Sequence, residues 1–354
     1  MGTSTYVAIA FLPLIILLAP YYIEPYQLWD PVALNDKVEG QRQTKWCNMG
    51  WWEDTNSFPL AANALAQKLI DFAKEGGYAG GGNVLDIGHG AGESLLLHLN
   101  SSAPPRHLHG LTSLSADTKY AQSLLDQYTP EKAISTNIEL YTASAHFNPT
   151  KDLNHPLNGM KGFMGEQKRD LAYSDEDELL FEETGGQGQL TLGDDAPPPY
   201  DLVYMLDSIY HYPPSLIPFL QTLKPVLGNG KGIVVYTDIL PPPKGLSRWK
   251  SWFVSYILSV PSPNLTDRPA SLEEYKGLLE KEGWKAVVIE DWSKGVWKGF
   301  SQNLIGRGGR WEKVGRAVER IEKEGWRFVA VRAKKVQQTM SHHSDFGNIG
   351  RCKS

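Results

Sequence analysis

"VLDIGHGAGESLLLHL", residues 84–99, is the stretch on which the fold turns. An apolar run ends at Asp86. Gly88, Gly90 and Gly92 follow at alternate positions, and an apolar helical stretch begins at once. Glycine lets the backbone turn sharply and lets a ligand approach the main chain. Strand, glycine loop and helix in succession open a βαβ unit, and a doubly wound sheet binds its ligands beside such loops, at the carboxyl ends of the strands. The spacing is D-x-G-x-G-x-G and not the dinucleotide pattern G-x-G-x-x-G. Asp86 and Glu93 flank the loop, which disfavours a pyrophosphate seeking the positive end of a helix. A ligand carrying an ammonium or sulfonium group is the better electrostatic match.

Outward from this loop, strand and helix signals alternate. "LHGLT", "IELYTASA", "YDLVYMLD", "GIVVYTDIL", "KAVVIEDW" and "WRFVAVRAKK" read as strands. "ADTKYAQSLLDQY", "SLIPFLQTLKPVL", "SLEEYKGLLEKEG" and "WEKVGRAVERIEKEG" read as helices between them. Upstream, Leu60, Ala64, Leu65, Leu69 and Phe72 recur at helical period, with Asn56 or Ser57 as cap. The class is α/β, with seven mostly parallel strands. The last pair suits an antiparallel addition at one edge.

The chain of 354 residues carries a formal net charge of −5, which gives no electrostatic reason for a nucleic-acid partner. Cys47 and Cys352 form neither a disulfide framework nor a metal cluster, and no metal site is expected. Residues 6–23 form an uncharged run near the lower length limit for a membrane-spanning helix. The expectation is a membrane-anchor segment over 1–24, with the catalytic domain on the cytosolic side. Pro13 and Pro20 leave a buried or membrane-surface hairpin as the alternative. Residues 25–58 are expected to form a polar connector and an aromatic lid, and 59–335 the main domain. Within it, 151–199 is acidic and poor in apolar residues, so it reads as a disordered insertion or a substrate lid. Residues 336–354 read as a flexible tail.

The glycine loop resembles motif I of the class I S-adenosylmethionine-dependent methyltransferases. "GLTSLSADTKYAQ", 110–122, resembles the G-I/V-T-L-S-x-x-Q-x-x-Y-A segment of the cyclopropane-fatty-acid-synthase and small-molecule methyltransferase branches, among which sterol and tocopherol enzymes are counted. "TASAHF" is similar to the end of strand three in that family, and "YDLVYMLDSIYHYP" to its motif IV. "CNMGWWED" resembles the segment that folds over the cofactor. The resemblance implies a Rossmann-like doubly wound sheet and S-adenosyl-L-methionine as cofactor. It implies cofactor contacts from Trp51, Asp86, Gly88, Gly90, Gly92, Thr112, Ser113, Ser144, Ala145 and Asp207. Asp117 and Ser144 depart from the pattern, standing where the family has Gln and an acid.

Methyl transfer is an in-line displacement that needs proximity and a nucleophile freed of its proton. His211 is the candidate base, because imidazole titrates near neutrality, and Tyr210 and Tyr212 are placed to orient it or bind substrate. The tryptophans of "KWCNMGWWED" offer faces to a sulfonium, or else staple a capping helix to the core. "LSRWKSWFVSYILSVPSPNL", 246–265, is apolar enough to line a greasy pocket. The function expected is methyl transfer to a small, apolar or lipid-like acceptor. A small-amine N-methyltransferase and a non-catalytic membrane-bound interaction module stand as alternatives. The sequence does not define an oligomeric state.

Overall fold

The computed structural model describes residues 31–37, 39–40, 42–147, 152, 155–159, 199–212, 215–228, 230–243, 253–255, 257–258 and 268–335. The run 6–23, most of the acidic insertion and the tail lie outside the described residues. Among the described residues no helix is long and apolar enough to cross a membrane.

The strands are β1 (Asn83–Ile87), β2 (His107–Thr112), β3 (Asn137–Thr142), β4 (Leu202–Met205), β5 (Ile233–Leu240), β6 (Trp284–Asp291) and β7 (Arg327–Lys335). They form one sheet in the order β3-β2-β1-β4-β5-β7-β6. β1 to β5 are parallel to one another. The final pair supplies the antiparallel edge, with β7 wedged between β5 and β6 and antiparallel to both. Every residue of β1, β4 and β5 is buried, as a parallel strand covered on both faces requires. β3 alternates between exposed and half-buried residues because it is the open edge.

The helices are α1 (Phe58–Glu75), α2 (Glu93–Leu99), α3 (Ser115–Tyr128), α4 (Leu216–Leu223), α5 (Leu272–Lys281), α6 (Ser293–Gly306) and α7 (Gly309–Lys323). α1, α2, α3, α6 and α7 pack one core with one face of the sheet, and α4 and α5 pack the other. Pro59 enters α1 in its first turn, where no backbone donor is needed. Ser271 caps α5, its hydroxyl accepting the Glu274 N–H at 3.0 Å. The strand order reverses at β1, between β2 and β4, so the glycine loop after β1 sits at the switch point where such sheets bind ligands.

Candidate active site

The carboxyl ends of β1 to β4 are tied together around the glycine loop. Gly88 N–H donates to the Leu111 carbonyl at 2.8 Å and Ala143 N–H to the Thr112 carbonyl at 2.9 Å. The Ser208 hydroxyl reaches the Ile87 carbonyl at 3.3 Å. The three loop glycines have positive φ and three different surroundings. A Cβ on Gly88 would meet the Tyr212 hydroxyl and lie 2.8 Å from Ser208 Cβ, so this glycine lets the post-β4 turn touch the loop. A Cβ on Gly92 would lie 2.8 Å from Ala121 Cβ, so it lets α2 approach α3. A Cβ on Gly90 would meet nothing within 4 Å among the described residues. Only this glycine faces open space, as a backbone that receives a ligand should.

Asp86 is sealed behind the loop, 1% exposed, with His98 Nε2 at 4.0 Å. Burial pushes its carboxyl up to about 7, against the opposing pull of a Ser94 hydrogen bond. Burial also pushes His98 down to about 3, so this contact joins an imidazole that stays neutral to a carboxyl that ionises with difficulty. His89 is buried, bonds the Gly90 carbonyl through Nδ1 at 2.9 Å, and is pushed down by burial to about 4. It shapes the loop as a neutral ring.

The second acid beside the loop does not stand as a free negative charge. Glu93 is 5% exposed and forms a two-pronged ion pair with Arg42, with Arg42 Nη1 donating to Oε1 at 2.9 Å. Lys45 N–H donates to the same oxygen at 2.8 Å. The polar connector is therefore anchored as a strap across the start of α2. Its ends are fixed too. Asn35 is tied to Trp46 through bonds of 2.9 and 3.0 Å. Arg307, which caps the end of α6, donates to the Ala33 and Leu34 carbonyls at 2.6 and 2.8 Å.

Further along the strap, Met49 N–H donates to Asp207 Oδ2 at 2.7 Å. Asn48 donates to the Ala62 carbonyl at 3.1 Å. Trp51 N–H binds the Ala61 carbonyl and Trp52 N–H the Gly295 carbonyl, both at 2.8 Å. The Trp51 ring meets Trp292 edge-on at 5.8 Å, under the Lys68 ammonium at 4.2 Å. Both tryptophans thus hold the strap to α1 and α6, and Met49 is the strap residue bonded to the post-β4 turn.

That turn begins with Asp207 at φ 53, a conformation uncommon outside glycine. Thr237 of β5 holds it, accepting the Asp207 N–H at 2.8 Å. Asp207 accepts bonds from Met49 N–H and from the Tyr210 hydroxyl. Burial outweighs both and pushes its carboxyl up to about 6. Residues Ile209–His211 form one 3₁₀ turn, with the Tyr210 and His211 ring centroids 4.7 Å apart. Asp207, Tyr210 and His211 form the polar side of a cavity of about 50 Å³. Leu34, Met49, Phe58, Leu258 and Phe300 form its apolar side, with Cys47 and Asn48 between. Among the described residues of the apolar stretch 246–265, Leu258 lines the cavity.

Thr112 and Ser113 lie at the end of β2. Thr112 is buried, and its hydroxyl accepts the Leu114 N–H at 3.3 Å, while Ser113 is exposed. Past β3, Ser144 is exposed and Ala145 is buried. His155 donates from Nε2 to the Ser144 carbonyl at 2.7 Å and stacks on Phe147 at 4.4 Å. All the expected site residues but Trp51 thus lie behind or along one edge of the sheet. The sequence reading missed the Arg42–Glu93 latch, His155 and the Thr237 support. A lone arginine in a polar stretch and a threonine within a strand carry no motif.

No family model and no curated protein matches the chain. Its fold is that of the class I S-adenosylmethionine-dependent methyltransferases. It is similar to geranyl diphosphate C-methyltransferase from Streptomyces coelicolor A3(2), at TM-score 0.53 and 15% identity over 88% of this chain and 99% of that one. It is also similar to a cyclopropane synthase from Mycobacterium tuberculosis, at TM-score 0.51 and 12% identity over 87% and 98% of the two chains. A structure described as a (4+2)-cyclase matches at TM-score 0.51 and 16% identity over 92% and 95%. The last shows that the fold alone does not decide the reaction.

Proposed function

We propose that this chain transfers the methyl group of S-adenosylmethionine to a small, apolar or lipid-like acceptor. The observation that carries this reading is the convergence of three pieces at one sheet edge. The glycine loop with open space over Gly90, the Asp207–His211 turn and the strap meet beside a cavity that is half apolar, with its charged and aromatic polar groups on the side of the turn.

The residues present fit the cofactor. Gly90 leaves its backbone open, and Arg42 offsets the charge of Glu93. The loop 88–92 would hold the methionine end, Thr112 and Ser113 the ribose, and Ser144 and Ala145 the adenine. Bound there, S-adenosylmethionine supplies an electrophilic methyl group on a sulfonium. The rest is done by the chain. Phe58, Phe300 and Leu258 would surround the reacting end of the acceptor, which is all that a cavity of about 50 Å³ admits, and exclude water from it. Asp207 fixes the Tyr210 hydroxyl by accepting its proton in a hydrogen bond. His211 takes the proton from the acceptor as the new bond forms. Residues 6–23 would tether the domain to the membrane from which a lipid-like acceptor comes. Resistance of the full-length chain to carbonate extraction, lost on deleting 1–24, supports the tether; extraction of the full-length chain refutes it.

Calorimetry tests the cofactor assignment. S-adenosylhomocysteine is expected to bind and NAD to leave no signal. Binding of NAD in its place overturns the reading. Methyl-labelled cofactor incubated with a solvent extract of lipids and with a pool of polar amines then tests the acceptor class. Label in the amine pool alone overturns the apolar assignment.

A further inference from the structure

Arg268 is 4% exposed, and its side chain and that of Asp238 are wholly buried. Arg268 Nε donates to Asp238 Oδ2 at 2.9 Å. The same oxygen accepts the Tyr275 hydroxyl at 2.7 Å, and the Tyr236 hydroxyl lies 3.1 Å from that of Tyr275. Asp238 Oδ1 accepts the Ile239 N–H at 2.8 Å. A buried ion pair adds little net stability over a well-packed apolar pair, because desolvation offsets the attraction. Its cost calls for a role other than stability.

The role follows from where the guanidinium ends. Arg268 Nη2 points at the Ile209 carbonyl at 3.4 Å. That distance is long for a hydrogen bond, but a buried cation facing a carbonyl dipole is still attractive in a low-dielectric interior. Ile209 opens the 3₁₀ turn that carries Tyr210 and His211. The neighbouring β5 residue, Thr237, already holds the Asp207 N–H. Two adjacent β5 residues therefore grip the turn at two points, Thr237 directly and Asp238 through Arg268. The grip holds a turn whose first residue, Asp207, sits at a positive φ that non-glycine residues adopt seldom.

We propose that Arg268, oriented by Asp238, is a positioning residue that sets the Tyr210–His211 pair at the cavity through the Ile209 carbonyl. Its catalytic meaning rests on the methyl-transfer reading. Its geometric content does not, and the test is chosen accordingly.

The readout is the His211 imidazole resonance in a proton NMR titration of the full chain, assigned by its loss in His211→Gln. Arg268→Met combined with Asp238→Asn removes both buried charges together, so no unpaired charge remains and the melting temperature should stay near that of the parent. The His211 resonance should move as its surroundings change. Arg268→Lys serves if the double variant does not fold. It keeps the charge against Asp238 and gives up the second nitrogen that faces Ile209, and the same displacement is expected. A folded variant of either kind with the parent's His211 resonance overturns the proposal. S-adenosylhomocysteine affinity, measured on the same samples, should not change. If the parent itself does not bind it, the methyl-transfer reading fails while the NMR result still decides the role of Arg268.

Discussion

Met49 and Asp207 lie 158 positions apart, and a 2.7 Å hydrogen bond from the Met49 N–H to Asp207 Oδ2 joins strap to turn. Both residues line the cavity that Cys47 also lines. Cys47 is reachable by solvent yet ringed by protein, and that enclosure, with Asp117, Glu93 and Asp207 nearby, pushes its thiol up to about 12. Asp207→Ala removes the acceptor and should free the strap, so that Cys47 reacts severalfold faster with a disulfide reagent in a Cys352→Ser background. Asp207→Asn keeps an acceptor oxygen and should react close to the parent rate. Equal rates in all three proteins would show that this bond does not hold the strap.

Gly90 should be the loop position most sensitive for binding and least sensitive for folding. Its φ of 52 makes Gly90→Ala cost about 1–2 kcal/mol, and the added methyl meets no atom of the described residues within 4 Å. The variant should fold and lose affinity for S-adenosylhomocysteine by calorimetry. Unchanged affinity would remove this loop from the cofactor site.

The sealed Asp86 predicts a pH dependence of stability. Its native pKa, raised by burial to about 7, exceeds that of the unfolded chain. The native state therefore binds this proton more tightly, and the stability it contributes is whole below the ordinary Asp value and lost as pH rises through about 7. Asn cannot ionise. The melting temperature of Asp86→Asn relative to the parent should rise between about pH 5 and about pH 8. A constant difference would mean that Asp86 titrates as an ordinary carboxyl.

If His211 is the base, His211→Ala should lower turnover by about 10²–10⁴-fold. Cofactor affinity should hold, because the lost interaction matters mainly in the transition state. The residual rate should climb with pH as the acceptor ionises unaided. Parent kinetics with an unaltered pH profile would leave His211 a structural residue.

Gly295 and Gly299 in α6 make room for the strap's tryptophans. A Cβ on Gly295 would enter the Trp51 ring and one on Gly299 would strike Trp52. Either glycine replaced by alanine should cost about 1–3 kcal/mol, typical of overpacking, and should speed Cys47 labelling by displacing the strap. Parent-like melting and labelling would mean that the two rings find other places.

These two glycines also explain what the sequence concealed. The alternation of strands and helices was legible because buried parallel strands are apolar along their whole length and the helices between them are amphipathic. α6, "SKGVWKGFSQNLIG", was not read as a helix, since Gly295 and Gly299 interrupt its apolar period and lower its helix propensity. They are there for Trp51 and Trp52, partners some 240 positions earlier that no local pattern reveals. The glycine loop and Asp207 could be placed at one sheet edge because each directly follows an apolar strand, and parallel strands of a doubly wound sheet share one carboxyl edge. The Arg42–Glu93 and Arg268–Asp238 pairs could not, because each joins elements whose distance is set only by the finished packing.

The wedge position of β7 bears on how the chain is made. Among the described residues β6 pairs with β7 alone, and the side of β5 away from β4 is covered by β7 alone. During synthesis residues 284–291 leave the ribosome before 327–335 exist. Until then β5 and β6 both present unpaired backbone, the condition that invites edge-to-edge aggregation. The finished sheet thus requires the last strand to enter between two strands made before it. A chain halted before Arg327 carries the whole glycine loop and the Asp207 turn but has no means of closing its sheet.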